Sequence, residues 1–506
     1  MSEKEQSTVT ASAAAGNDDI ELQKELKSKG GIDVAYELAQ KSKGIVIDEA
    51  TNKRLLRKID LYICPLMCIV YAIQFMDKLS NSYASIMGIR EDLEMTGTMY
   101  SWTGTGFYLG YLVFEFPVSY VLQRVSLTKS VGVFVVAWGF VLAMGAVPNT
   151  YPGFQAIRVL LGALESSVTP AFVVITSQWY RREEQFFRTA MWFCMNGLGS
   201  ILGPAIAYGL IRQEATVGTP IASWRLLFIT IGVITIALGF LIYFHIPETP
   251  PQAWFLNEEE KLQVVERIRD NKQGFGNKKF DKEQAKEAFL DIRTYLIFLS
   301  VLTNNIPNGG ITNFGAIIIN EIGYTEEKSL LMMMPTGGVQ IVMVLLCGYI
   351  AQVTNRRMLV GIFGEFVSLL SCCLLAFTPS AAGQLAGYWI FYVTPVAFVC
   401  MLSCVASNSA GHTKKIIVNA LSLIAYCIGN LIGPLTFLEK EEPDYPTAKI
   451  VMVVCCVVCI FSMAGLYLVN FLANKRRDER DERLNIENSE FADLTDKQNP
   501  EFRYAL

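Results

Sequence analysis

From residue 58 onward the chain alternates long apolar runs with short polar connections. The runs are about the length needed to cross a bilayer, roughly 20 mostly apolar residues for a hydrocarbon core of about 30 Å. Twelve can be read, at 60–87, 100–123, 130–148, 153–178, 187–211, 225–245, 292–319, 329–353, 357–378, 384–409, 416–437 and 448–472. This pattern predicts an all-α membrane protein of twelve transmembrane helices. The one long connection, residues 246–291, splits them six and six. The expected organisation is a polar N-terminal tail (1–57), a six-helix bundle (58–245), a central loop (246–291), a second six-helix bundle (292–472) and a C-terminal tail (473–506). Within the loop, "NEEEKLQVVERIRDNK" (257–272) predicts a surface helix, with Asn257 and Glu260 spaced as a capping box.

A duplication supports the split. "GLGSILGP" (197–204) in span five recurs as "CIGNLIGP" (427–434) in span eleven, so Gly199, Gly203 and Pro204 match Gly429, Gly433 and Pro434 at a constant offset of 230. The basic junction "YVLQRVSLTKSVG" (120–132) has a looser counterpart in "YIAQVTNRRMLVG" (349–361). Parallel repeats of this kind build one large class of secondary transporters, and the glycines suit close helix packing.

Composition agrees, with 52% apolar and 18% charged residues. The net charge of −4, with no basic patch interleaved with aromatics, gives no indication of a nucleic-acid partner. All twelve cysteines fall within the spans, where small apolar packing residues are expected rather than disulfides or metal ligands. Residues 1–57 lack a signal-peptide pattern. Lys and Arg concentrate in alternate connections (Arg124 and Lys129; Arg181, Arg182 and Arg188; Arg356 and Arg357; Lys414 and Lys415; Lys475 to Arg477), which predicts both termini in the cytosol.

Candidate chemistry starts in span one. On an ideal helix Tyr71, Gln74, Asp77, Lys78, Asn81, Ser82 and Ser85 fall within an arc of about 140°. Lipid cannot satisfy such a stripe, so it is expected to face a cavity or neighbouring helices. Asp77 and Lys78 point about 100° apart and each needs another partner. The alternative is a pair of charges snorkelling to the outer interface. In span four, Arg158, Gly162, Glu165 and Thr169 share one face. Depth matches Asp77 to Arg158, whereas Glu165 has no base at its level on its own face; a structural ion pair locking two helices is the alternative. In span seven, "NNIPNGGITNF" (304–314) predicts a helix broken at Pro307 and Gly309-Gly310, with Asn304, Asn305, Asn308 and Asn313 as neutral donors and acceptors. A gating kink without substrate contact is the other reading. Asn196, Asn408 and Asn430 are further pocket candidates, and Arg181 to Glu184 a cytosolic cluster that could latch a gate or simply face solvent. Glu115 and Glu365 are isolated acids with no assigned partner.

The 6+6 plan with basic junctions after spans two and eight resembles the Major Facilitator Superfamily. "QFMDKLSNS", "RVLLGALESSVTP" (158–170), "QWYRREEQFFRTA" (178–190), "NNIPNGGITNF" and the tail "DLTDKQNPEFRYAL" (493–506) together resemble the fungal allantoate permease group of the anion:cation symporters. The resemblance implies a proton-coupled symporter importing a small organic anion by alternating access, most closely allantoate or a related ureido acid or dipeptide. It is expected to be a monomer in the plasma membrane whose partners are substrate, protons and lipid, with no cofactor or metal. Lys78 would hold the substrate carboxylate, with Tyr71, Gln74, Asn81, Asn196, Asn304, Asn308 and Asn313 around it. Asp77, paired with Arg158, would exchange protons, and Glu165 would be the second proton site. Many relatives have Arg where this chain has Lys78, which exchanges a bidentate grip for a point charge. Alternatives are a carrier of nicotinate, pantothenate or another monocarboxylate, or a receptor that binds without transport. No nucleotide loop, nucleophile elbow or HExxH motif is present, so an enzyme is not expected.

Overall fold

The computed structural model describes residues 47–268, 281–480 and 494–506. The first 46 residues and residues 481–493 lie outside the described residues, as does 269–272 of the expected loop helix. Everything regular among the described residues is helical. Helix α1 (Glu49–Tyr62) leads into α2 (Cys64–Ile86), followed by α3 (Met99–Arg124) and α4 (Leu127–Met144). Then come α5 (Tyr151–Glu165), α6 (Val168–Trp179), α7 (Arg182–Cys194), α8 (Asn196–Val217) and α9 (Ser223–His245). The central connection carries α10 (Glu258–Ile268) and α11 (Lys282–Leu290). The second half holds α12 (Ile292–Glu321), α13 (Glu326–Met333), α14 (Pro335–Thr354), α15 (Arg357–Phe377), α16 (Ala381–Phe391), α17 (Pro395–Asn408), α18 (His412–Leu435) and α19 (Pro446–Arg480).

Among the described residues, ten helical stretches are long and apolar enough to cross a membrane. Two further long helices, α3 and α12, have 26 and 30 residues. At 1.5 Å per residue they measure about 39 and 45 Å, ample for a crossing. What they lack is apolarity: buried Ser101, Thr103, Thr105 and Glu115 in α3, and Thr303, Asn304, Asn305, Thr312 and Asn313 in α12, lower it. Both pack among the other helices, α3 against α5 and α18, α12 against α2, α18 and α19. The chain is an all-α multi-pass membrane protein.

Several breaks within runs have local causes. Pro65, Pro335 and Pro395 stand at the start of the second segment in α2, α14 and α17, where a missing N–H is harmless. Between α5 and α6 the Ser166 and Ser167 hydroxyls donate back to the carbonyls of Ala163 (2.8 Å) and Leu164 (2.9 Å). This break leaves Glu165 as the last residue of α5. The expected break at Pro307 is not found: α12 runs on through it, and the glycines beyond serve close packing, Gly309 against the Asn430 backbone and Gly310 against the Phe437 ring. A neighbouring helix seated on the proline turn makes continuity tolerable.

The repeated motif does the same work twice. Gly199 of α8 meets the Ala72 carbonyl of α2, and Gly429 of α18 meets the Leu302 carbonyl of α12. Gly162 is the tightest such point, its missing Cβ leaving room for the Phe107 carbonyl of α3. We expect Gly162→Leu to destabilise the protein by about 1–3 kcal/mol or more through overpacking. Gly209→Leu, with nothing within 4 Å, should stay within about 0.5 kcal/mol. Thermal melting of the detergent-solubilised variants checks this, and equal melting would count against it.

Two polar clusters stand at one end. The capping box forms as expected, Glu260 N to Asn257 Oδ1 at 2.8 Å and Asn257 N to Glu260 Oε2 at 3.0 Å. The helix is docked rather than solvated: Glu260 is buried and takes Lys58 at 2.7 Å, while buried Arg267 pairs with Glu184 and bonds Asn52. Glu184 therefore ties α10 to α7. At the second cluster, Lys414 Nζ is met by Glu287 (2.8 Å), Asp291 (3.0 Å) and Asp496 (2.7 Å). These three carboxylates stand close enough together to hold a cation, and the ammonium is that cation. Burial alone would raise the Asp291 carboxyl, but Lys414 beside it holds it below the ordinary range. The C-terminal segment is anchored further, Tyr504 with Asn474 and Ala505 with Asn408, each by two hydrogen bonds.

Candidate functional site

A cavity of about 1210 Å³ lies between the two sets of helices. Its wall includes Tyr71, Gln74 and Lys78 of α2, Tyr108 and Tyr111 of α3, Thr169 of α6 and Asn196 of α8. From the other side come Asn304, Asn305 and Asn308 of α12, Gln340 of α14, Tyr392, and Tyr426 of α18. Its rim is formed by Glu183, Asn355, Arg357, His412, Lys415 and Ala505, at the end carrying the C-terminal segment. The opposite end is shut. There Asn81 Nδ2 donates to Thr103 Oγ1 (2.9 Å) and Asn313 Oδ1 (3.3 Å), and Tyr100 Oη to the Asn313 carbonyl (2.6 Å). Ala316 N donates to Ser82 Oγ (3.0 Å), and Arg90 pairs with Glu442 at 3.0 Å.

Of the expected substrate-binding residues, Tyr71, Gln74, Lys78, Asn196, Asn304 and Asn308 therefore line one cavity. Asn81 and Asn313 do not. They lie on the same helix faces but farther along, where α2 and α12 touch, and they bond one another instead. Only three of the seven stripe residues face the cavity, since Asp77, Asn81, Ser82 and Ser85 are buried in protein contacts. Interfacial snorkelling is ruled out, because Asp77 is fully buried and the Lys78 side chain is only 11% exposed.

The charged residues pair differently from expectation. Lys78 Nζ lies 3.0 Å from Glu165 Oε1, with Glu165 fully buried behind it. Neither Glu165 oxygen has an aligned hydrogen bond, so charge holds the pair. Lys78 also stands 5.7 Å from the centre of the Tyr111 ring. Asp77 and Arg158 are not in ion-pair contact. Asp77 Oδ2 accepts from Trp138 Nε1 at 2.5 Å and Oδ1 from Ser80 Oγ at 3.4 Å. Arg158 donates from Nε to the Thr103 carbonyl (3.3 Å), sits 5.0 Å from the Phe107 ring centre, and leaves Nη1 without a partner. Matching by depth alone missed Trp138, because depth does not say which helix faces which side chain.

Some residues were not read from the sequence. Glu365, assigned no partner, accepts from Asn304 Nδ2 at 2.9 Å. Gln340 is fully buried, and neither polar atom of its amide has a hydrogen bond; Gln74 Nε2 is likewise unpartnered. Gln74 was singled out by its place in the polar stripe of span one; Gln340, a lone glutamine in an apolar run, belongs to no such stripe. Glu115 remains buried with Oε2 unbonded. Away from the rim, the cavity offers one ammonium, several amides and phenol rings. A small polar anion fits that inventory.

Comparison with known proteins places the chain. The sequence profile of the Major Facilitator Superfamily matches residues 67–434. An uncharacterised transporter of Schizosaccharomyces pombe is 46% identical over 96% of this chain and 98% of its own length. The allantoate permease of Saccharomyces cerevisiae is 46% identical over 94% and 90% respectively. Among solved structures, the partially occluded inward-open xylose transporter of E. coli superposes with a TM-score of 0.59, covering 80% of this chain and 97% of its own at 12% identity. That last likeness concerns the fold alone.

Proposed function

The chain belongs to the Major Facilitator Superfamily, a family of secondary transporters of small solutes and not of enzymes, and from that premise we propose that it is a proton-coupled symporter of a small organic anion. In this reading twelve spans form two six-helix bundles, 58–245 and 292–472, which rock about the cavity. Both termini are cytosolic, the protein works as a monomer in the plasma membrane, and the cavity rim faces the cytosol. Allantoate or a related ureido acid is the substrate; the similarity to an allantoate permease supports this.

One observation carries the reading: the Lys78–Glu165 pair at the head of the cavity. Of the cations lining the cavity, Lys78 comes from mid-helix, whereas Arg357 and Lys415 stand in the first turn of theirs. A substrate carboxylate must compete with Glu165 for this ammonium. Two carboxylates against one ammonium leave a net negative charge in a poorly solvated site, which is costly. Protonation of Glu165 removes the conflict, so anion and proton bind together. Asp77 and Arg158 complete the proton-coupling set, Arg158 lying near enough to feel the charge of both acids.

The test is uptake of labelled allantoate, ureidosuccinate, nicotinate and pantothenate in a host lacking its own carriers. We expect a ureido acid to accumulate at acidic external pH and a protonophore to abolish accumulation. Uptake of none, or uptake indifferent to the protonophore, would refute the proposal.

A further inference from the structure

The cavity wall on α12 has a fixed polarity. An amide side chain can present either its oxygen or its NH₂, and its hydrogen-bond network decides which. Here the network is anchored on groups that only accept. Asn305 Nδ2 donates to the Val301 carbonyl (2.8 Å), which turns Asn305 Oδ1 toward Asn430 Nδ2 (3.1 Å). Asn430 Nδ2 also donates to the Tyr426 carbonyl (2.9 Å), so the direction is set twice. Asn430 Oδ1 is then left to accept from Asn308 Nδ2 (2.8 Å). Separately, Asn304 turns its Nδ2 to the Glu365 carboxylate (2.9 Å).

Both Asn304 and Asn308 line the cavity, and they stand four residues apart on one helix face. With an N–H of each amide bonded to the protein, we infer that their two carbonyl oxygens form a donor-reading subsite that selects substrates carrying N–H groups. Lys78 takes the carboxylate of such a substrate, and Asn304 and Asn308 take the amide or ureido N–H at its other end. Glu365 acts as the positioning residue for Asn304. The inference rests on the ureido-acid reading and names the groups that would meet the N–H end of such a substrate.

Two isosteric probes separate the ideas. 3-Ureidopropionate has the carboxylate and the N–H donors. 3-Acetoxypropionate keeps the carboxylate and carbonyl but puts an ester oxygen and a methyl group where the nitrogens were. Binding to the purified full chain is measured by calorimetry. We expect the ureido acid to bind at least about tenfold more tightly, because the ester leaves desolvated acceptors unmet. In Asn308→Ala the preference should collapse toward unity while ester binding stays within about twofold. Asn304→Ala should behave alike; should it fail to accumulate once Glu365 loses its partner, Asn308→Ala decides alone. Equal binding of the two probes by the wild type, or loss of both probes in parallel in Asn308→Ala, overturns the subsite. Failure of both probes to bind the wild type overturns the subsite along with the ureido-acid reading. Binding of both that survives in Lys78→Ala refutes the anion reading alone.

Discussion

Replacing Lys78 with alanine should reduce uptake to background at substrate concentrations near or below KM. Lys78 is the ammonium that the proposed substrate carboxylate and Glu165 share, and it is nearly buried. Breaking a buried charge pair by removing one partner costs about 3–5 kcal/mol. As a loss of affinity that is about two to four orders of magnitude. Lys78→Arg keeps the charge but swaps a point donor for a planar fork, so it should retain measurable transport with an altered KM. The check is initial-rate uptake across substrate concentration, with surface expression of each variant measured in parallel. Wild-type rates in Lys78→Ala at every concentration would remove this residue from the binding site.

Glu165→Gln should separate transport from its driving force. The neutral amide imitates the protonated acid, so Lys78 is permanently available to the anion. Substrate should bind and exchange across the membrane, while accumulation driven by a proton gradient fails. The wild type adds a sign that can be checked: lowering pH protonates Glu165 and frees Lys78, so apparent affinity rises as pH falls, by up to about tenfold per unit for one coupled proton. In Glu165→Gln that dependence should be flat. Full accumulation by the variant, or an unchanged pH profile, would assign coupling elsewhere, with Asp77 the next acid to examine.

The helical runs were legible because a bilayer imposes a length and a polarity that few other structures satisfy, and the observed helices lie along them. Even α3 and α12, rich in buried polar side chains, stand among the twelve runs read at span length, at 100–123 and 292–319. Pairing was less legible. Sequence spacing gives depth and a face, so it brought Asp77 level with Arg158. It does not give the rotation of one helix against another, which turns Asp77 toward Trp138 and Lys78 toward Glu165. The stripe in α2 illustrates the same limit. Tyr71 and Asn81 share a face, yet one lines the cavity and the other helps shut its far end, a difference set by where α12 touches α2. The polarity of the α12 amides depends on carbonyls in two helices, and no spacing rule reaches that.

The seating of the last residues on Lys414, Asn408 and Asn474 bears on how the protein is handled. These anchors come from three helices, so residues 494–506 travel with whatever body those helices form. Ala505 already lies on the rim of the cavity. A purification handle or fluorescent reporter fused after Leu506 would hang at the mouth and load the clasp around Asp496.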